Sequence, residues 1–225
     1  DYMLENISSN SYILGGYPRN TVFFDRNAES RIREELEITD KKIYAYMPTW
    51  RGTVDKVGVS KNDAYLMYYL CELDKRLTDD EIFYINIHPM AMHAKNTAEV
   101  SKLKHIKNFP AEYETYDFLN IADVLVTDYS SVFFDFAYMR KPILYFWFDE
   151  EKFFATQYDK GYFDCRKDGF GRVVKTKDEV VSFLINKLEN GMKNDEVYSE
   201  RADKFFGEEI SCRCEKTYRE ILNII

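Results

Sequence analysis

The 225-residue chain sets 31 Lys and Arg against 39 Asp and Glu, for a formal net charge of -8, and 45% of it is hydrophobic. That is enough apolar material to bury a sizeable core in one large domain, alone or with a small appendage, and it excludes a disordered composition. The acidic balance argues against broad nucleic-acid binding while leaving room for a local basic pocket that takes a phosphorylated ligand.

Strand-like and helix-like segments alternate along the chain. Ile43–Met47 is a short apolar run that stops at Pro48. Lys61–Leu77 places Ala64, Met67, Tyr68 and Cys71 at helical spacing. Ile82–Ile87 reads as a strand ending at His88-Pro89, and His105–Phe109 as a shorter one. Tyr116–Ala122 suits a helix that opens into the buried strand Asp123–Thr127. Ser130–Met139 then reads as a helix, Pro142–Phe148 as a strand, and everything from Lys177 onward as helical. Continuous apolar strands separated by helix-length segments predict a parallel sheet covered on both faces, a doubly wound α/β domain of Rossmann type. Neither a Gly-x-Gly-x-x-Gly nor a Walker-type loop follows any strand, which removes most of the support for dehydrogenase and P-loop readings.

In such folds the ligand lies at the carboxyl ends of the strands, so the polar residues just beyond them carry the information. Thr127-Asp128-Tyr129-Ser130-Ser131 ends a buried strand and starts a helix. Free backbone N–H groups and two hydroxyls there suit a phosphate, and the bland alternative is a plain helix cap made by Asp128 or Ser130. Asp135, one turn further on, is placed to accept bonds from ribose or glycerol hydroxyls; its bland reading is a solvated carboxylate. His88 can donate to a diphosphate oxygen or stabilise leaving-group charge, or it can be a structural histidine bonded to a carbonyl. Thr49 and Arg51 follow the first strand, and an arginine there suits bidentate phosphate binding or a surface ion pair. His93 and His105 read as surface residues. Cys212-x-Cys214 lacks a second Cys/His pair at ligand spacing and reads, with Cys71 and Cys165, as reduced thiols rather than a metal site.

Several motifs in order resemble the CDP-glycerol glycerophosphotransferase family, the teichoic acid polymerases and primases with relatives that use CDP-ribitol or build capsules. They are Gly16-Tyr17-Pro18-Arg19-Asn20, Pro48-Thr49-Trp50-Arg51, His88-Pro89, Asp128-Tyr129-Ser130-Ser131 with Asp135, and Lys141-Pro142-Ile143. Gly161-Tyr162-Phe163-Asp164 and Ser211-x-Arg213 are further echoes, so the likeness spans nearly the whole chain. The resemblance implies the carboxy-terminal half of a GT-B transferase, with residues 1–40 a linker and helix from the inter-domain region and residues 41–225 the nucleotide-binding Rossmann-like domain with C-terminal helices. It implies no cofactor and no catalytic metal. It also implies His88 as the catalytic donor-side histidine, and Arg51, Thr49, Thr127, Ser130, Ser131 and Asp135 as ligands of CDP-glycerol or CDP-ribitol. The acceptor would be a membrane-linked polymer reached through the parent enzyme, which would work on the cytoplasmic face of the membrane. With no signal pattern and no apolar stretch of membrane-spanning length, the chain is expected to be cytoplasmic.

Departures from the family pattern bound these expectations. The family's His-Gly-Thr-Pro motif, which holds the other essential histidine, is absent, so the chain is expected to be a segment of something longer and inactive alone. Thr21 replaces the usual Asp after Pro-Arg-Asn, Lys160 the usual Arg before Gly161, and Asp168-Gly169-Phe170-Gly171 a more usual Pro-Gly-Pro. The competing readings are a GT-B glycosyltransferase or epimerase that uses a UDP-sugar, and a non-catalytic nucleotide-binding module.

Overall fold

In the computed structural model the described residues are 17–49, 70–86, 100–156, 163–207 and 213–223. Six strands, β1 (Lys42–Met47), β2 (Glu81–Ile85), β3 (Ile106–Asn108), β4 (Val124–Thr127), β5 (Ile143–Phe146) and β6 (Gly171–Val174), form one sheet. Every neighbouring pair is parallel, in the order β3-β2-β1-β4-β5-β6. This is the doubly wound order, and its direction reverses between β1 and β4.

Alternation along each strand sends neighbouring side chains into two separate cores. Ile43, Ala45, Ile82, Tyr84, Leu125, Ile143 and Tyr145 face one side. There they meet helices α1 (Arg26–Glu35), α2 (Thr115–Ile121), α3 (Val132–Ala137) and α6 (Glu196–Phe206), through Ile32, Phe118, Phe136 and Ala202. Tyr44, Tyr46, Phe83, Ile85, Val124, Val126, Leu144 and Phe146 face the other side. That layer is closed by Leu70, Leu73, Val100 and the apolar face of α5 (Lys177–Glu189). Each large side chain removed from water contributes roughly 1.5–3 kcal/mol, so both layers, not one, hold the sheet.

The central strands match the sequence expectation because both of their faces are buried. The differences lie at the edges. β6 and the helix α4 (Glu150–Thr156) were not expected from the sequence. α3 is shorter than the predicted Ser130–Met139, because the chain turns out of the helix through Arg140 at φ 59. The helical tail is three helices, α5, α6 and α7 (Arg213–Leu222), with breaks that include Gly191 at φ 67 and Gly207 at φ 72. At such angles glycine carries no Cβ penalty. Before α1, Pro18–Phe24 forms a 3-10 helix that packs on α2 and α7. Of the predicted helix Lys61–Leu77, only the part from Leu70 on is described, and its residues Leu70–Asp74 are helical.

Candidate functional site

β1 and β4 lie side by side with Met47 opposite Thr127, so both chains leave the sheet together at its carboxyl edge. A reversal in strand order marks the place where folds of this kind hold a ligand, and the residues that follow the two strands are the ones placed to meet it. Asp128 is the strut. Its Oδ1 accepts hydrogen bonds from the Thr49 backbone N–H at 2.8 Å, the Thr49 hydroxyl at 2.6 Å and the Tyr129 N–H at 2.6 Å. Asp128 is wholly covered, at 0% exposure, and its partners Thr49 and Tyr129 are half-buried. The indole Nε1 of Trp147, just past β5, donates to the Asp128 carbonyl at 3.0 Å. Three strand ends are thus tied to one residue. The sequence alternatives for Asp128 were a helix cap or part of a phosphate loop; its carboxylate instead bridges two loops.

Thr127, expected to contact a ligand, has its hydroxyl engaged within the sheet. It is fully buried and its hydroxyl donates to the Met47 carbonyl at 2.7 Å, so it fastens β4 to β1 from within. Ser130 is half-buried and Ser131 is exposed at the head of α3. The Ser130 Oγ accepts the Val132 N–H at 3.4 Å, and Ser131 makes no side-chain cap, so both hydroxyls keep a proton to donate.

Asp135 is neither solvated nor isolated. It is 4% exposed, and it accepts from Arg19 Nε and Nη2, each at 3.1 Å, and from the Tyr116 hydroxyl at 3.0 Å. Burial together with the adjacent Asp135 charge pushes the Tyr116 phenol up to about 12. Partial burial pulls the Arg19 pKa down, but the Asp135 charge and hydrogen bonds outweigh it and hold the guanidinium above its ordinary value. Arg19, Tyr116 and Trp147 had no role in the sequence reading. Arg19 stood in a quoted motif, yet nothing local to it signals a partner 116 residues away.

Arg51, His88 and His93, together with Gly161, Tyr162, Ser211 and Cys212, lie outside the described residues. His105 is, against expectation, largely covered. Its ring nitrogens lie 3.2 Å from the Asp74 carbonyl and 3.0 Å from Asp79 Oδ1, at the start of β3 and away from the carboxyl edge. Cys165 is buried, and burial pushes its thiol up to about 12, so it is an inert core residue. Cys214 is exposed, with its Sγ 3.2 Å from the Thr21 hydroxyl and from the Pro18 carbonyl oxygen.

The sequence profile of the family described as CDP-Glycerol:Poly(glycerophosphate) glycerophosphotransferase matches residues 4–223. The chain is similar to a teichoic acid poly(glycerol phosphate) polymerase of Bacillus spizizenii, 32% identical over 216 residues, covering 94% of this chain and 53% of that protein. It is also similar to a teichoic acid poly(ribitol-phosphate) polymerase of the same organism, 30% identical, covering 76% of this chain and 28% of the other. Among solved structures it resembles a variant of the wall teichoic acid polymerase TagF soaked with CDPG, at a TM-score of 0.66 and 26% identity, over 94% of this chain and 51% of that one. The chain therefore spans about half the length, or less, of these relatives.

Proposed function

Because this chain belongs to the CDP-glycerol:poly(glycerophosphate) glycerophosphotransferase family, we propose that it is the donor-nucleotide domain of a CDP-alditol phosphotransferase. The observation that carries the reading is the β1/β4 switch point, where folds of this kind hold their ligand and where Asp128 ties Thr49, after β1, to the chain that leads from β4 into Ser130. Serine hydroxyls that keep a proton to donate, and the N–H groups at the head of α3, suit diphosphate oxygens. Arg51 follows Thr49 by two residues in the sequence, and its role as the diphosphate cation rests on the order of the motifs.

In the proposed reaction an acceptor hydroxyl attacks the β-phosphorus of the donor. The new P–O bond forms as the bond from that phosphorus to the bridging oxygen breaks, and CMP departs with the electron pair. Arg51 offsets the diphosphate charge, Ser130 and Ser131 donate hydrogen bonds to its oxygens, and His88 serves the departing side. The hydroxyl proton passes to a base that is not one of this chain's three histidines, none of which sits in a His-Gly-Thr-Pro context. The donor is CDP-glycerol or CDP-ribitol, and a membrane-linked polymer acceptor is held by the rest of the parent enzyme at the cytoplasmic membrane face. Among the described residues, no helix is long and apolar enough to cross a membrane.

Calorimetric titration of the chain with CDP-glycerol, CDP-ribitol and UDP-N-acetylglucosamine tests this. The cytidine donors should bind and the UDP-sugar should bind far more weakly. Arg51→Ala should weaken CDP binding at least about tenfold, since a charged hydrogen bond is worth about 1.5–3 kcal/mol and about 1.4 kcal/mol is one decade. Failure of every cytidine nucleotide to bind, or tighter binding of the UDP-sugar, would sink the assignment.

A further inference from the structure

Arginines that reach across the chain to buried or backbone partners are of two kinds in this fold, as Arg33, Arg140 and Arg19 illustrate. Arg33 is 13% exposed and spends its guanidinium on the Lys41 and Ile121 carbonyls and on Asp123. Arg140 is 20% exposed and uses Nε, Nη1 and Nη2 on Asp203, the Tyr138 carbonyl and the Gly207 carbonyl. Both are covered braces. Arg19 differs. It gives Nε and Nη2 to Asp135, but Nη1 makes no hydrogen bond among the described residues, and the side chain is 53% exposed against 6% for Asp135.

The place of Arg19 follows from topology. In a parallel sheet the connecting helices run opposite to the strands, so their first turns lie at the carboxyl edge. Tyr116 is in the first turn of α2 and Asp135 in the first turn of α3, the helices on either side of β4. Arg19 therefore stands at the carboxyl edge. Ser131 and Asp135 are one turn apart and share a face of α3, so the carboxylate that holds Arg19 lies on the same helix face as that serine. The Tyr17 ring, 4.7 Å from the guanidinium carbon, and the Tyr116 ring at 5.7 Å fix its plane.

We propose that Arg19 is a phosphate-binding residue of the switch point, with Asp135 and Tyr116 as the positioning residues that aim its open edge. This rests on the donor-site reading above. A guanidinium anchored through one edge keeps donors on the other and loses less side-chain freedom when it binds. Asp135 is thereby a holder of the cation rather than a receiver of the donor's hydroxyls. The nearby carboxylate offsets part of the charge, so the contribution is smaller than that of an unpaired arginine. The phosphate can belong to the nucleotide diphosphate or to the polymer, and the two are separable by experiment.

The test compares the chain with its Arg19→Ala, Arg19→Lys and Asp135→Asn variants by calorimetry, using CDP in one arm and a short glycerol phosphate oligomer in the other, at two salt concentrations. Arg19→Ala should weaken one of these ligands about five- to tenfold and reduce the salt sensitivity of its binding, because one charged contact is gone. Arg19→Lys should recover part of the affinity, and Asp135→Asn should weaken the same ligand through a misaimed arginine. If Arg19→Ala, or Arg19→Lys should the alanine variant not fold, alters stability but leaves both affinities and their salt sensitivity unchanged, Arg19 is only a brace and the inference fails. If the parent chain binds CDP, that failure is confined to Arg19; if it binds neither CDP nor the oligomer, the donor-site reading falls and takes this inference with it.

Discussion

Replacing Asp128 with alanine should unlock the switch point. Its Oδ1 satisfies two backbone N–H groups, those of Thr49 and Tyr129, and the Thr49 hydroxyl, at 2.6–2.8 Å and without exposure to solvent. Alanine leaves both N–H donors without that acceptor, and a stranded buried donor costs about 1–3 kcal/mol. Allowing for some relaxation of the two loops, Asp128→Ala should lose about 3–5 kcal/mol, a large share of the roughly 5–15 kcal/mol that holds a typical domain. Asp128→Asn keeps a carbonyl oxygen where Oδ1 stands, but it gives up the charge and sets an NH2 in place of the buried Oδ2, so about 1–2 kcal/mol should go. Urea unfolding followed by circular dichroism measures both, with the denaturant slope as a check that the unfolded state has not changed. Trp147, bonded to the Asp128 carbonyl, supplies a local fluorescence report. An alanine variant within about 1 kcal/mol of the parent, or an asparagine variant as damaged as the alanine one, would refute the strut.

Other perturbations follow from single contacts. A Cβ on Gly171 would sit 2.1 Å from the Ile143 carbonyl oxygen on the neighbouring strand, so Gly171→Ala should lower stability by about 1–3 kcal/mol in a thermal melt. Thr176 and Glu179 close a reciprocal capping box at the start of α5, and Thr176→Ala should cost about 1 kcal/mol in urea. Hydrogen bonds from Arg166, forked at 2.7 Å, with Lys175 at 3.0 Å, hold the Glu150 carboxyl down at about 2 against an ordinary 4.5. A depressed carboxyl contributes stability in full above its unfolded pKa and loses it as pH falls from about 4.5 toward 2. Because Arg166 and Lys175 are solvent-facing, the effect should be about 1 kcal/mol, and Glu150→Gln should flatten that part of the acid titration.

The sequence by itself determined the parallel α/β architecture, because β1, β2, β4 and β5 are buried on both faces over most of their length and so read as nearly continuous apolar runs. It also pointed to the strand ends as the place to look for a site, since strand ends and the polar residues after them are local features. Tertiary structure alone decided the rest. β6 was not legible because its alternation carries an exposed Arg172 in a strand of four residues. Asp128 and Thr127 looked like ligands or caps from their place after a strand, and only the pairing of β1 with β4 turned one into a strut and the other into a fastener. Asp135 likewise looked like a lone carboxylate. Its partner Arg19 lies far back in the chain, and what brings the two together is the packing of the first 3-10 helix against α2, a contact between residues that no local pattern relates.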